Sequence, residues 1–241
     1  MNSKIDLVPD EDLSKSGIIK YIKWDYKKNP HMVIFGGTGS GKSYLLRLLL
    51  GRIGLHIPDS ELVVCDYKGD DDFSFLNTLK NFHRFNECME GLDRALNVLQ
   101  DRQHGNPERD FFALVFDEWA SFLNNMDKKQ ADGAKQKLST LLMLGRSYNI
   151  HIIISQQRLD ASYFGSSRDN FSVVFGMGVL SKESVEMMFS DYKESIIRNK
   201  PRGHGSLIIG DQIKNIIVPP VYHLKKLEDA IISAVDRKPE E

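Results

Sequence analysis

Short apolar runs alternate with amphipathic stretches along most of the chain. The runs are rich in Val, Ile and Phe, and they lie at 32–35, 61–65, 111–116, 150–154 and 172–175. Between two of them Met89, Leu92, Leu96 and Leu99 recur at three- and four-residue spacing, which predicts a helix at 87–103. Further helices are predicted after residue 43 and at 132–147 and 182–198. Buried strands that alternate with helices are typical of an α/β fold with a mainly parallel central sheet flanked by helices.

The two ends of the chain depart from this alternation. The apolar runs 206–209 and 213–218 flank a polar turn and predict a C-terminal β-hairpin, which 224–235 follows as a last helix. We expect 238–241 to fray. Residues 1–23 are polar and lack a clear period, so we expect an N-terminal arm or lead-in at 1–23 and a single domain at 24–241.

Composition excludes several classes of protein. No uncharged apolar stretch approaches the roughly 18 to 20 residues of a membrane span, and the first residues lack the order of a signal peptide. We therefore expect a cytoplasmic protein with no membrane segment of its own. Two cysteines without C-x-x-C spacing argue against a disulfide framework or a zinc site. With 32 basic and 33 acidic side chains, any nucleic-acid surface must come from local clustering of charge.

The string GGTGSGKS at 36–43 matches the pattern G-x-x-x-x-G-K-S of a phosphate-binding loop, and it lies between a predicted strand and a predicted helix. Glycines let backbone N–H groups face a polyphosphate, and the helix that follows presents its positive end. Lys42 is expected to reach the β- and γ-phosphates of ATP, and the Ser43 hydroxyl to bind Mg²⁺. A glycine-rich turn with an idle lysine is the alternative. The predicted nucleotide-binding set is Gly36, Gly37, Thr38, Gly39, Ser40, Gly41, Lys42, Ser43 and Tyr44.

Asp117 and Glu118 follow a buried strand and are expected to supply the second half of the site. Asp117 is predicted to hold the Mg²⁺ shell, and Glu118 to face the γ-phosphate and polarise the attacking water. Two solvated acids at a strand end are the alternative, since an apolar run followed by Asp-Glu is a loose pattern. The prediction of a catalytic acid pair therefore depends on the phosphate loop upstream.

Four segments together resemble the FtsK/SpoIIIE-type DNA translocases of the HerA/FtsK superfamily. They are NPHMVIFGGTGSGKS at 29–43, DYKG at 66–69, FDE at 116–118 and GRSYNIHIIISQQR at 145–158. The resemblance covers about residues 24 to 210 and is far more specific than a lone phosphate loop. It implies a RecA-like P-loop NTPase fold, so that 24–241 is expected to be one FtsK-like ATPase domain. The superfamily also holds conjugative coupling proteins and viral genome-packaging ATPases.

The resemblance also implies catalytic roles for two residues outside the loop and the acid pair. Gln157 is expected to sense the γ-phosphate, and Arg146, or Arg158 in its place, to reach the ATP of a neighbouring subunit as an arginine finger. The alternatives are ordinary: an arginine near a helix end often caps it, and a glutamine after a strand is often a turn residue. His151 lies in an apolar run and is expected to be a packed core histidine.

An arginine that acts across a subunit boundary requires a ring, which in this family is most often a hexamer. DNA would pass through the ring and be held by its phosphates, because a motor must tolerate every sequence it meets. The basic segment 128–137 is the first candidate for the DNA-facing surface, and Arg198, Lys200, Arg202 and His204 form a second. A solvated charged surface is the alternative for both.

The leading hypothesis is an ATP-dependent motor that moves double-stranded DNA through an oligomeric ring, with ATP and Mg²⁺ as ligands. Cell-division translocases carry membrane segments and a winged helix that this chain has no room for, so we expect a bare motor for a plasmid, mobile element or virus. A viral genome-packaging ATPase or a conjugative coupling ATPase is the first alternative. An ATP-gated interaction module without translocation is the second.

Overall fold

The computed structural model describes residues 3–107, 109–157 and 160–237. The strands are β1 (Lys4–Pro9), β2 (Tyr21–Asp25), β3 (Met32–Phe35), β4 (Glu61–Asp66), β5 (Phe82–Arg84), β6 (Phe112–Asp117), β7 (Ile150–Gln156), β8 (Val173–Met177), β9 (His204–Ile209) and β10 (Gln212–Ile217). The α-helices are α1 (Glu11–Lys15), α2 (Lys42–His56), α3 (Cys88–Gln103), α4 (Trp119–Asn124), α5 (Lys128–Leu144), α6 (Lys182–Met188) and α7 (Leu224–Val235).

Within the described residues, eight of these strands form one sheet in the order β10-β9-β8-β3-β7-β6-β4-β5. The strands from β8 to β5 are parallel to their neighbours, and the β9–β10 hairpin continues the sheet in antiparallel fashion beyond β8. The predicted α/β fold, with a mainly parallel sheet and a C-terminal hairpin, is therefore confirmed. Because β3 lies between β8 and β7, the loop after it opens at the middle of the carboxyl edge of the sheet.

Side chains that alternate along the strands build one core on each face of the sheet. In β3, Met32 and Ile34 join the core beneath α2 and α7, whereas Val33 and Phe35 join the core beneath α3, α4, α5 and α6. All four are fully buried. Near-continuous apolar runs suit strands covered on both faces, and this burial explains why the runs were readable from the sequence.

The segment before β3 is folded onto the main domain. β1 and β2 pair in antiparallel fashion, and Leu7 and Val8 of β1 are fully buried in the core beneath α2 and α7. The predicted boundary between arm and domain, at residues 23 and 24, falls inside β2. The division into arm and domain stays a prediction, and the frayed end predicted at 238–241 lies outside the described residues.

Candidate nucleotide site

The phosphate loop joins the end of β3 to the start of α2, as its pattern predicted. Gly36, Gly39 and Gly41 have φ angles of 153°, 78° and 98°, which L side chains rarely adopt. A Cβ built on Gly36 would lie 2.3 Å from the carbonyl oxygen of Met177 in β8, so a larger residue would push the loop off the sheet. Gly41 caps α2 and leaves the backbone N–H groups of the first turn directed at the loop, which is how a helix receives phosphate.

Lys42 lies in the first turn of α2 and its side chain turns back into the loop. Its Nζ donates hydrogen bonds to the carbonyl oxygens of Gly36, at 2.7 Å, and Gly37, at 3.3 Å. Burial lowers the pKa of Lys42, and the negative charges of Glu118 and Asp117 oppose that shift. The ammonium group therefore stands between the loop and the acid pair, where a polyphosphate would meet it.

Asp117 and Glu118 lie at the carboxyl end of β6 and are only 4% and 6% exposed. Glu118 has a left-handed backbone, with φ 61° and ψ 48°, and its N–H donates to the carbonyl oxygen of Ser155 in β7 at 2.7 Å. Burial raises the pKa of Asp117 to about 7. Burial also raises the pKa of Glu118, while Lys42 and Lys68 lower it in part. Burial thus favours the protonated form of both acids, and at Glu118 the two lysines offset part of that effect.

Gln157 follows β7 and reaches Glu118. Hydrogen bonds from its backbone and its side chain lower the pKa of the Glu118 carboxyl. Because β6 and β7 are parallel and Asp117 pairs with Ser155, the strand ends bring Gln157 beside the acid pair. The side chain predicted to sense the γ-phosphate therefore contacts the side chain predicted to polarise water.

One cavity of about 270 Å³ joins these groups. Its loop side is lined by Thr38, Gly39, Gly41, Lys42, Ser43 and Tyr44, and its opposite wall by Asp117, Glu118 and Gln157. Gly36, Gly37 and Ser40 shape the loop without lining the cavity. All of the predicted residues of the phosphate loop and the acid pair thus lie in or directly behind one space.

The cavity also has a donor set that suits Mg²⁺. Ser43 contributes a hydroxyl and Asp117 a carboxylate, and both line the same space. Oxygen ligands of this kind, completed by water and phosphate oxygens, are what Mg²⁺ prefers. A divalent cation beside Asp117 would also favour the ionised form of this buried acid. Ser43 and Asp117 therefore fit the magnesium role predicted for them.

Arg146 lies away from this cavity. It is exposed in the 3₁₀ turn Gly145–Tyr148, which precedes β7 and therefore lies at the amino edge of the sheet. The nucleotide cavity opens at the carboxyl edge, so Arg146 cannot serve the cavity of its own subunit. Its role as an arginine finger stays a prediction, and the alternative Arg158 lies outside the described residues.

Arg47, Asp72 and Arg202 also line the cavity, and sequence reasoning did not place them there. Arg47 follows Ser43 by four residues, so helical spacing alone could have found it. Its side chain forms an ion pair with Glu228 of α7. Asp72 and Arg202 come from connecting segments whose placement no local pattern reveals. Lys68, from the DYKG segment, lines the cavity as well and pairs with Asp70 at 2.7 Å.

The two basic segments have different surroundings. Lys128 and Lys129 at the start of α5 are exposed, whereas Lys137 forms an ion pair with Asp93 of α3. In the second segment Lys200 is only 8% exposed and its Nζ lies 2.9 Å from a Glu11 carboxylate oxygen. Lys200 is therefore not available to DNA, because its charge is already neutralised inside the protein.

Comparison with known proteins agrees with this geometry. The sequence profile of the FtsK/SpoIIIE family matches residues 11–163. The chain belongs to the FtsK/SpoIIIE family. An FtsK domain-containing protein of Bacillus subtilis (strain 168), YdcQ, is 26% identical over 249 residues, which take in 92% of this chain and 51% of YdcQ. The ESX secretion system protein EccC of Thermomonospora curvata is 25% identical over 179 residues, 63% of this chain and 14% of EccC. The chain thus spans about half of YdcQ and a smaller part of EccC.

Solved structures show the same fold. The conjugation coupling protein TcpA of pCW3, in a monomer form with ATPγS, superposes with a TM-score of 0.70 at 20% identity, over 97% of this chain and 70% of TcpA. The predicted RecA-like P-loop fold is thereby confirmed. Among the described residues, no helix is both long and apolar enough to cross a membrane.

Proposed function

We propose that the protein is an ATP-driven motor that moves DNA through a hexameric ring of its own copies, for a plasmid, a mobile element or a virus. The observation that carries the proposal is one cavity that joins the phosphate loop, the Asp117–Glu118 pair and Gln157. Membership of the FtsK/SpoIIIE family supports DNA as the cargo. A cytoplasmic location is part of the same proposal.

Each group in the cavity has a distinct role in ATP hydrolysis. The loop N–H groups and Lys42 bind the phosphate chain, and Mg²⁺ held by Ser43 and Asp117 would supply positive charge to the β- and γ-phosphates. Glu118 accepts a proton from water as the water oxygen bonds to the γ-phosphorus and the bond to the bridging oxygen breaks. Gln157, bonded to Glu118, orients that carboxylate according to whether a γ-phosphate is present.

Contacts with DNA would use the sugar-phosphate backbone. The exposed lysines Lys128 and Lys129 at the start of α5 are the best candidates, since the other basic segment is partly buried. Phosphate contacts of this kind are independent of base sequence and weaken with salt. The proposal favours duplex DNA over single strands.

The test is ATP turnover measured without DNA, with duplex and with single strands, beside particle mass. We expect duplex DNA to raise turnover, Lys42→Ala to abolish it, and Glu118→Gln to lower it by about 10²- to 10⁴-fold while ATP stays bound. Glu186→Gln, on the exposed side of α6, is the matched control and should turn over ATP like the wild type. Equal turnover by Lys42→Ala and the wild type would show that the loop is not the site of hydrolysis.

The same turnover assay, with DNA uptake measured beside it, separates the alternatives. A preference for single strands would favour a conjugative coupling ATPase. Turnover that is tightly coupled to uptake of duplex DNA would favour a genome-packaging ATPase. An ATP-gated module without translocation would bind ATP and turn it over at a rate that no DNA alters. The presence of both Glu118 and Gln157 argues against this alternative, because a switch does not need a pair of residues that activates water. A protein cargo is a further candidate, which the similarity to the secretion protein EccC favours. Turnover raised by a secreted polypeptide and not by DNA would support it.

A further inference from the structure

Residues 199–203, which we call the cover turn, lie across the phosphate loop. The N–H of Gly203 donates to the carbonyl oxygen of Ser40 at 3.0 Å, and the N–H of Lys200 donates to the carbonyl oxygen of Gly178 at 3.3 Å. A Cβ on Gly178 would lie 2.8 Å from the Cβ of Ser40, so the backbones are in close contact. The cover turn is therefore fixed directly to the loop that wraps the phosphates.

A buried ion pair anchors the cover turn to the N-terminal segment. Lys200 Nζ donates to Glu11 Oε2, to the carbonyl oxygen of Gly205 and to Asn215 Oδ1, each at 2.9 Å. Burial opposes the ionisation of Glu11, but hydrogen bonds from Lys15, Lys200 and His204 outweigh it and lower the pKa to about 2. With three partners and both charges paired, Lys200 has one defined position, which sets the path of the residues that follow.

Arg202, at the tip of the cover turn, points at the nucleotide cavity. It lines the cavity and is otherwise exposed, and among the described residues its guanidinium has no hydrogen-bond or ion-pair partner. Arg47, the other arginine of the cavity wall, is already paired with Glu228 and lies over the ring of Phe75 at 5.0 Å. Of these two arginines, Arg202 alone is available to a ligand.

We propose that Arg202 binds the phosphate chain of the ATP held by its own subunit, an inference that rests on the proposed nucleotide site. A guanidinium presents paired N–H donors that match phosphate oxygens, and the neighbouring Ser40 and Gly41 belong to the loop that wraps them. Backbone hydrogen bonds hold the cover turn in place, so binding costs mainly the freedom of the Arg202 side chain. Arg202 is then a catalytic-site residue of the same subunit, in contrast to an arginine finger from a neighbour.

The first test compares ATPγS binding by calorimetry in the full chain. Arg202→Ala should weaken binding on the order of 10- to 100-fold, as expected for loss of hydrogen bonds to a charged group. Arg202→Lys should recover part of the loss, because it restores the charge and not the paired donors. Arg198→Ala removes an exposed arginine of the same segment that does not line the cavity, and it should bind like the wild type.

Two outcomes would overturn the assignment. Arg202→Ala with the affinity of the wild type, in a series where Lys42→Ala binds nothing, would leave the nucleotide site standing and remove Arg202 from it. Equal losses in Arg202→Ala and Arg198→Ala would point to a general charge effect instead. Failure of the wild type itself to bind ATPγS would refute the nucleotide site, which is a different result from either.

Discussion

At the scale of single residues, Glu118 combines an unusual backbone conformation with a carboxylate that lines the nucleotide cavity. A non-glycine residue in the left-handed region costs energy, and such strain persists where the surroundings over-determine it. Here the N–H of Glu118 is held by the carbonyl oxygen of Ser155, and its side chain is held by Gln157. Lys42 and Lys68 offset part of the rise that burial causes in the pKa of this carboxylate, and so bring it nearer to the ionised form that the proposed general base requires.

Two buried histidines at the amino edge of the sheet predict a pH dependence of stability. His31 Nδ1 accepts a hydrogen bond from the N–H of Ile152, and His151 stacks on Phe111 with 4.2 Å between ring centroids. Burial lowers the pKa of His31 to about 4 and of His151 to about 3. The unfolded chain therefore binds protons more tightly, and the free energy of unfolding should fall as pH drops below about 6.5, by up to about 1.4 kcal/mol per pH unit for each histidine.

Chemical denaturation from pH 7.5 to 4.5 checks this prediction. Asp117 works in the opposite sense, because a raised pKa makes the folded state bind the proton more tightly, so the comparison must be between variants. His151→Gln should reduce the slope of unfolding free energy against pH. His104→Gln, at the exposed end of α3, is the control and should keep the wild-type slope. Parallel slopes for wild type and His151→Gln would contradict the buried neutral state of His151.

The residues of the site that could be predicted share one property, namely that local sequence fixes their place. The loop 36–43 must follow a strand and begin a helix, and Glu118 must follow a strand, so one pattern located each. Arg202 enters the cavity from a turn that is held by the pairing of Lys200 with Glu11, nearly two hundred residues earlier in the chain, and by the hydrogen bond from Gly203 to Ser40. No spacing in the sequence encodes such a contact, and the segment was therefore interpreted as a basic surface.

At the scale of elements, the close approach of α2 and α7 depends on glycine. A Cβ on Gly54 of α2 would lie 2.3 Å from the carbonyl oxygen of Ala230 in α7, which is backbone and cannot move aside alone. Gly133 in α5 has nothing within 4 Å of the same position. Gly54→Ala should therefore lower the free energy of unfolding by about 1–3 kcal/mol, through overpacking.

Gly133→Ala is the matched substitution in another helix. It should raise the free energy of unfolding by roughly 0.5–1 kcal/mol, because alanine loses less backbone entropy in a helix and here meets no neighbour. Denaturant unfolding of the two variants measures both changes. A stabilised Gly54→Ala would mean that α2 and α7 are packed less closely than the structure has them.

The elements that the sequence did not predict are short or belong to the first 23 residues. β5 has three residues and α1 has five, too few to show a period. In β1 the buried Leu7 and Val8 are adjacent and Pro9 follows them, so the alternation that begins at Lys4 stops at Leu7 and is too short to predict the strand. The strands β4, β6, β7 and β8 were predictable because they are buried on both faces, whereas these elements depend on tertiary contacts that no local pattern encodes.

At the scale of the whole molecule, the nucleotide cavity and the predicted arginine finger lie at opposite edges of the sheet. The nucleotide cavity opens at the carboxyl ends of the strands, and Arg146 precedes the amino end of β7. The seven residues of β7 span roughly 20 Å, at about 3.3 Å per residue, which is more than an arginine side chain can bridge. Arg146 can therefore act on ATP only if a neighbouring copy presents its carboxyl edge to it, as in a head-to-tail ring.

Mixed assemblies distinguish an arginine that acts across a boundary from one that acts within a subunit. Arg146→Ala and Glu118→Gln subunits are each expected to be inactive, and mixing them should restore partial turnover, because some cavities then combine an intact Glu118 with a neighbour's intact Arg146. Arg202→Ala mixed with Glu118→Gln should show no turnover beyond that of the two variants measured separately, because every cavity keeps one defect of its own. Turnover is measured across a range of mixing ratios at constant total protein. Recovery by the Arg202→Ala mixture, or none by the Arg146→Ala mixture at any ratio, would reverse the roles assigned to the two arginines.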